Sequence, residues 1–211
     1  MQIAITSNLG AVLYWLTLTA VAVSAMSGVL EAGKKRFDIF GMMMIAIATA
    51  LGGGSLRDLL LDRTVFWVND GTYLWVALGA ALLTFVVARW FSFSARIFLL
   101  PDALGLAAFT MAGTMVALAM NTPPLLASFM GVITGVMGGV FRDVLCNEEP
   151  LVFQSTLYAT VAWLGAFMFI GFLKLGVDTT ASVVLSGVFI FVLRVLAIQF
   201  DLGLPKFRFN K

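Results

Sequence analysis

The sequence predicts an all-α membrane protein with seven transmembrane helices: two inverted three-helix repeats plus a seventh helix. Three observations lead there. Of 211 residues, 61% are hydrophobic and 11% charged, and the mean hydropathy is +1.03, far from what a water-facing surface requires. Seven apolar runs are long enough to cross a bilayer. A Gly-Gly-x-x-Arg-Asp motif occurs twice, in the second and the fifth of those runs.

A helix needs about 20 mostly apolar residues to cross the hydrocarbon core. Runs bounded by charge, Pro or Asn extend over Leu9 to Leu30, Asp38 to Leu61, Thr72 to Arg89, Ala103 to Met120, Pro124 to Leu145, Ser155 to Leu173 and Ala181 to Ile198. Residues 1–211 form a single transmembrane domain, with repeat one at about 9–90, repeat two at about 102–174 and the extra helix at about 181–199. Placing Lys34, Lys35 and Arg36 in the cytoplasm brings Arg89, Arg96 and the tail residues Lys206, Arg208 and Lys211 to the same side. Only Arg63 and Lys174 then fall in the opposite loops, so the N-terminus is expected outside and the C-terminus in the cytoplasm. Glu148 and Glu149 run against this pattern, but acidic residues weigh little in it. The first charge is Glu31, so the basic start of a cleavable signal peptide is missing and the first run reads as a retained helix.

Composition also narrows the chemistry. There is no histidine and one cysteine, Cys146, which excludes a histidine base, a Cys/His metal site and an internal disulfide. Without a clustered nucleophile and base there is no catalytic constellation, so the protein reads as no enzyme, with no catalytic residue, metal or cofactor. A net charge of +2, scattered along the chain, does not suggest nucleic acid, and the partner that composition implies is the lipid bilayer.

The repeat is the most informative feature. At an offset of 85 residues, Gly53, Gly54, Arg57 and Asp58 align with Gly138, Gly139, Arg142 and Asp143. The same offset superposes Met26 on Met111, Gly28 on Gly113, Thr49 on Thr134, Tyr73 on Tyr158 and Ala77 on Ala162. The two copies are three crossings apart, an odd number, so they traverse the membrane in opposite senses. Inverted repeats of this kind place a functional path between the halves near the midplane.

Gly52, Gly53 and Gly54 weaken the second span, each by about 1 kcal/mol relative to alanine, and Gly138 and Gly139 do the same in the fifth. Bends are expected there, with freed carbonyls facing a watery path. Close packing is the alternative, and Gly131, Gly135 and Gly139 at four-residue spacing suit it. Arg57, Asp58, Arg142 and Asp143 lie a turn further on, where insertion of a charge costs about 2.5 to 3.5 kcal/mol at the helix centre. They are the candidate polar or gating residues; a snorkelling pair at each helix end is the structural alternative. Adjacent helical residues diverge by about 100°, so partners across the repeats are expected, Arg57 with Asp143 and Arg142 with Asp58. Asp38 and Asp102 are expected to cap the second and fourth spans, and Glu31 to pair with Lys34 and Lys35. The five tryptophans read as an aromatic belt, the methionines as packing or lipid-facing residues, and Cys146 as an unpaired thiol.

Three segments carry a family resemblance: GGGSLRDLLLDRTVFW from Gly52, DALGLAAFTMAGT from Asp102 and GGVFRDVLCNEEPLVF from Gly138. They resemble the prokaryotic branch of the trimeric intracellular cation (TRIC) channels over nearly the whole chain. The resemblance implies a homotrimer in the prokaryotic inner membrane, each subunit with its own pore formed by bent second and fifth helices and permeable to monovalent cations, chiefly potassium. It implies that Gly52, Gly53, Gly54, Gly138 and Gly139 mark the bends, and that Arg57, Asp58, Arg142 and Asp143 are polar residues of the pore region. Met137 stands where repeat one has Gly52, so the fifth span carries two glycines in place of three. The same domain also carries the label of a glycine transporter, and a secondary transporter of a small zwitterion stays open as the alternative to a channel.

Overall fold

The computed structural model describes residues 8–90, 96–154 and 157–205; the basic tail residues Lys206, Arg208 and Lys211 lie outside them. The described residues form eight α-helices: α1 (Asn8–Ala32), α2 (Ile39–Leu60), α3 (Phe66–Asn69), α4 (Thr72–Ala88), α5 (Leu99–Ala119), α6 (Pro124–Leu145), α7 (Ala159–Lys174) and α8 (Thr179–Phe200). Single 3-10 turns follow α1 at Gly33–Lys35 and precede α7 at Leu151–Phe153. The chain is therefore all-helical. By length and composition α1, α2, α5, α6 and α8 suffice to cross a membrane, while α4 and α7 are apolar but have 17 and 16 residues. The short α3, in the loop after the first motif, was not among the expected elements.

Local chemistry sets the helix ends. The Asp38 carboxylate accepts the Gly41 N–H at 2.7 Å and so caps α2, as expected. Asp178 caps α8 in the same way, accepting from Thr180 and Ala181, and Pro124 opens α6 where no amide is needed. Helix ends are turned by residues in the left-handed region, among them Arg36, Asp62, Asn121 and Asn147. Arg36 and Asn121 are 85 residues apart, as are Asp62 and Asn147, so the two halves share backbone turns as well as sequence.

Asp102 departs from expectation. The fourth span begins earlier than anticipated, at Leu99, which places Asp102 inside the first turn of α5, buried, with its side chain turned to an arginine and not to free amides. From Asp102 to Ala117 nearly every residue of α5 is buried, because α1, α6, α7 and α8 surround it. One apolar cluster joins α5 to α7 and α8 through Met111, Phe169 and Ile190; a second, rich in alanine, joins α1, α2 and α4 through Ala25, Ala50 and Ala77. Trp15, Trp75 and Trp90 are exposed on the outside, whereas Trp67 and Trp163 donate their indole N–H to Ser55 and Ser128.

At the end of α1, Glu31 bonds Lys34 at 2.7 Å, and Lys35 meets Glu148 at 2.6 Å, tying the turn after α1 to the end of α6. The lysine holds the Glu148 carboxyl below its ordinary value, and Glu148 raises Lys35. The carboxylate's contribution is therefore present above the ordinary glutamate value and is lost as pH falls through the depressed one; the lysine's is present below its ordinary value and is lost as pH rises through the raised one. Glu148 is exposed and Lys35 partly so, which keeps the effect small and screened by salt. Glu148→Gln is expected to lower the melting temperature slightly at neutral pH and low salt. Melting curves of wild type and variant should converge in strong acid and at about 1 M salt. Cys146 is 1% exposed and unpaired, and a maleimide-polyethylene glycol reagent should label it only after denaturation in SDS.

Candidate functional site

Both motifs sit where α2 and α6 cross. A Cβ on Gly53 would run into the Thr134 carbonyl of α6, and one on Gly138 into the Thr49 carbonyl of α2. These contacts are exchanged by the repeat offset, and because Thr49 faces Gly138 while Thr134 faces Gly53, the two helices are antiparallel. Only glycine allows backbones to approach so closely. The other motif glycines admit side chains: Gly52 the Phe141 ring, Gly54 the Phe66 ring, and Gly139 the Tyr158 hydroxyl with Asp102 and Arg142 behind it. Both helices run on without interruption through their glycines. At Gly53 and Gly138 the missing side chain serves close packing of the two backbones.

The dyads do not pair across the repeats. Arg57 Nε donates to Asp58 Oδ1 at 2.9 Å and Arg142 Nε to Asp143 Oδ1 at 2.8 Å, each arginine folding back onto its own neighbour. The remaining carboxylate oxygens accept backbone N–H groups eight residues further on, Asp58 Oδ2 from Phe66 at 2.8 Å and Asp143 Oδ2 from Leu151 at 2.9 Å. The expected cross-repeat pairs fail on distance. At 1.5 Å per residue, Arg57 and Arg142 lie about 9 Å to either side of the crossing, about 18 Å apart. The 100° divergence was a poor guide because an arginine side chain is long enough to swing round the helix to an adjacent carboxylate. Each Arg-Asp dyad therefore braces its helix end against the loop that follows, and all four side chains are buried.

The two ends differ in what surrounds the dyad. Asp58 is also approached by Arg63 at 3.5 Å, and Arg57 lies 5.7 Å from the Phe66 ring. Arg142, with no exposed surface, also bonds Asp102 of α5 and Ser27 of α1, the latter at 2.6 Å, and sits 5.0 Å from the Phe98 ring. Tyr158 donates its hydroxyl to Asp102 Oδ1 at 3.3 Å. Arg194 of α8, 1% exposed, donates to the Leu157 carbonyl at 2.9 Å and stands 4.6 Å over the Tyr158 ring. Sequence reasoning missed Arg194 and misplaced Asp102. The signal was available for Arg194, since an arginine within an apolar run of spanning length is costly enough to demand a partner.

The family described as glycine transporter matches this chain twice, over residues 14–89 and 99–174, the same offset as the motifs. A membrane protein of the UPF0126 group from Vibrio cholerae is 42% identical over 209 residues, covering 94% of this chain and 84% of the relative. The UPF0126 inner membrane protein YadS of Escherichia coli K12 is 40% identical over 202 residues, covering 94% and 97%. Among solved structures, the TRIC trimeric intracellular cation channel orthologue from Rhodobacter sphaeroides superposes with a TM-score of 0.87 at 33% identity, covering 91% of this chain and all of the other. The chain belongs to the TRIC family. Its TRIC fold places the twice-matched unit on α1 to α4 and on α5 to α7, and leaves α8, with Arg194, outside both matches.

Proposed function

We propose that this TRIC-family protein is a potassium-permeable channel for monovalent cations, with a pore in each subunit of a homotrimer between α2 and α6. Seven spans cross the inner membrane as two inverted three-helix units and a seventh helix, the N-terminus outside and the C-terminus in the cytoplasm. The observation that carries this reading is the antiparallel crossing of the two motif helices, within a fold that superposes on a trimeric cation channel at 33% identity. The backbone contact at Gly53 and Gly138 corresponds to a non-conducting state, and opening requires α2 and α6 to bend or slide apart at those glycines. No potassium-filter sequence is present, so discrimination among monovalent cations is modest.

The family description favours one other reading, a secondary transporter of a small zwitterion such as glycine. Purified protein in planar bilayers under a potassium chloride gradient separates the two. Discrete openings that reverse near the potassium potential support the channel. A silent bilayer, with saturable counterflow of labelled glycine in liposomes, overturns it in favour of the carrier.

A further inference from the structure

The duplicated unit is not electrically symmetric. The position equivalent to Asp102 in repeat one is Thr17, so at this position repeat two carries a buried carboxylate and repeat one does not; the buried Glu31 of repeat one has Lys34 at 2.7 Å. A buried charge without compensation is strongly unfavourable at membrane depth. Arg142 cannot balance Asp102 alone, because it already bonds Asp143. The donors that reach Asp102, Arg142 and the Tyr158 hydroxyl, both bond Oδ1, so a second cation in the same buried neighbourhood would stabilise its charge further. A second buried cation stands nearby, on the helix that has no repeat counterpart: Arg194, stacked on the ring whose hydroxyl bonds Asp102.

We propose that Arg194 is a positioning residue. It supplies the positive charge that Asp102 requires, and through Tyr158 it fixes the Arg142–Asp143 dyad, so that α8 controls the dyad of repeat two and not that of repeat one. Leu157, just before α7, is held at both backbone polar groups: its carbonyl accepts from Arg194 of α8, and its N–H donates to the Leu202 carbonyl just beyond α8 at 2.9 Å. That clamp orients the Tyr158 hydroxyl toward Asp102. In repeat one the equivalent Tyr73 is held instead by the rings of Phe66 and Tyr14, with centroids 4.9 and 5.7 Å away. Acid and base on the repeat-two side thus form one added pair, and α8 brings its cationic half.

A double-mutant cycle on the full chain in detergent, read by melting temperature, tests this without reference to transport. Asp102→Asn and Arg194→Gln are each expected to lower the melting temperature by about 5 °C or more. The double variant should melt no lower than the worse single, because its charges balance again. Additive losses overturn the proposal. If Arg194→Gln gives no folded protein, recovery of a monodisperse gel-filtration peak in the double variant supports it, and failure to recover overturns it. Tyr158→Phe, which keeps the stacked ring and removes only the hydroxyl, should shrink the coupling; unchanged coupling overturns the role given to Tyr158. The effect on conduction rests on the channel reading: Arg194→Gln and Asp102→Asn should change open probability in bilayers, each altering it less in the presence of the other. A wild type silent in bilayers defeats the channel reading and leaves the melting cycle standing.

Discussion

Gly138→Ala and Gly53→Ala should each destabilise the protein by about 3 kcal/mol, the upper end of what overpacking costs, although alanine is the better helix former by about 1 kcal/mol. The sign follows from what the added methyl meets. At Gly138 it is the Thr49 carbonyl and at Gly53 the Thr134 carbonyl, backbone atoms of a packed helix that cannot swing aside as a side chain can. The helices must separate, and the loss spreads to Thr49 and Thr134, which are buried and whose carbonyls make the contact. Gly79 and Gly171 provide the internal control, since a Cβ on either meets nothing within 4 Å, and alanine there should be neutral or stabilising by up to about 1 kcal/mol. In thermal melts a loss of about 3 kcal/mol appears as a drop of about 6 to 12 °C in a chain of this size. If Gly138→Ala melts with Gly171→Ala, the two backbones do not touch there, and the closed crossing of the motif helices is wrong.

The helices were legible in the sequence because lipid imposes a simple rule: polar backbone must be satisfied within the segment, so spans are long, apolar and bounded by charge. Among the described residues α1, α2, α4, α5, α6, α7 and α8 each fall within a few residues of an apolar run, and five of them are long enough to cross a membrane. The duplicated motif also singled out α2 and α6, and those two helices meet at its glycines. The charged partners were harder to read. Direction on a helical wheel says where Cβ points, not where a guanidinium several bonds further out arrives, so Arg57 and Arg142 were sent to the wrong carboxylates. Asp102 has the look of a cap because carboxylates near helix starts usually are caps. What decides its role is Arg142, forty positions away, and no local signal reveals that contact. Glycine runs are ambiguous for a related reason. The same lack of a side chain that lets a helix bend lets two helices touch, and at Gly53 and Gly138 the second property is used.

That glycine contact and the buried dyads belong to one mechanism of assembly. Each Asp holds both its own arginine and the amide of the following turn, so the helix end, its charge and the next segment move together. A displacement of α2 against α6 therefore carries α3 with one dyad and the turn before α7 with the other. In a channel, this couples the crossing to both ends of the path.

Because the two dyads stand in different company, they should not respond equally to the same substitution. Arg142→Gln removes the cation that both Asp102 and Asp143 bond in a buried pocket, and leaves them the Tyr158 hydroxyl and the Leu151 N–H respectively. Removing one partner of a buried pair costs about 3 to 5 kcal/mol, and here two carboxylates lose the same cation. Arg57→Gln strands a single carboxylate, Asp58, which keeps the Phe66 N–H at 2.8 Å and has Arg63 at 3.5 Å to turn toward it. The loss at Arg57 should therefore be about half that at Arg142, and adding Arg63→Gln to Arg57→Gln should bring it close to the Arg142 value. Melting in detergent with the three variants side by side checks the order. Equal losses at Arg57 and Arg142 would show that Asp102 contributes no net charge to its cluster, whereas the expected ranking makes the α6 end the rigid anchor and the α2 end the more easily displaced one.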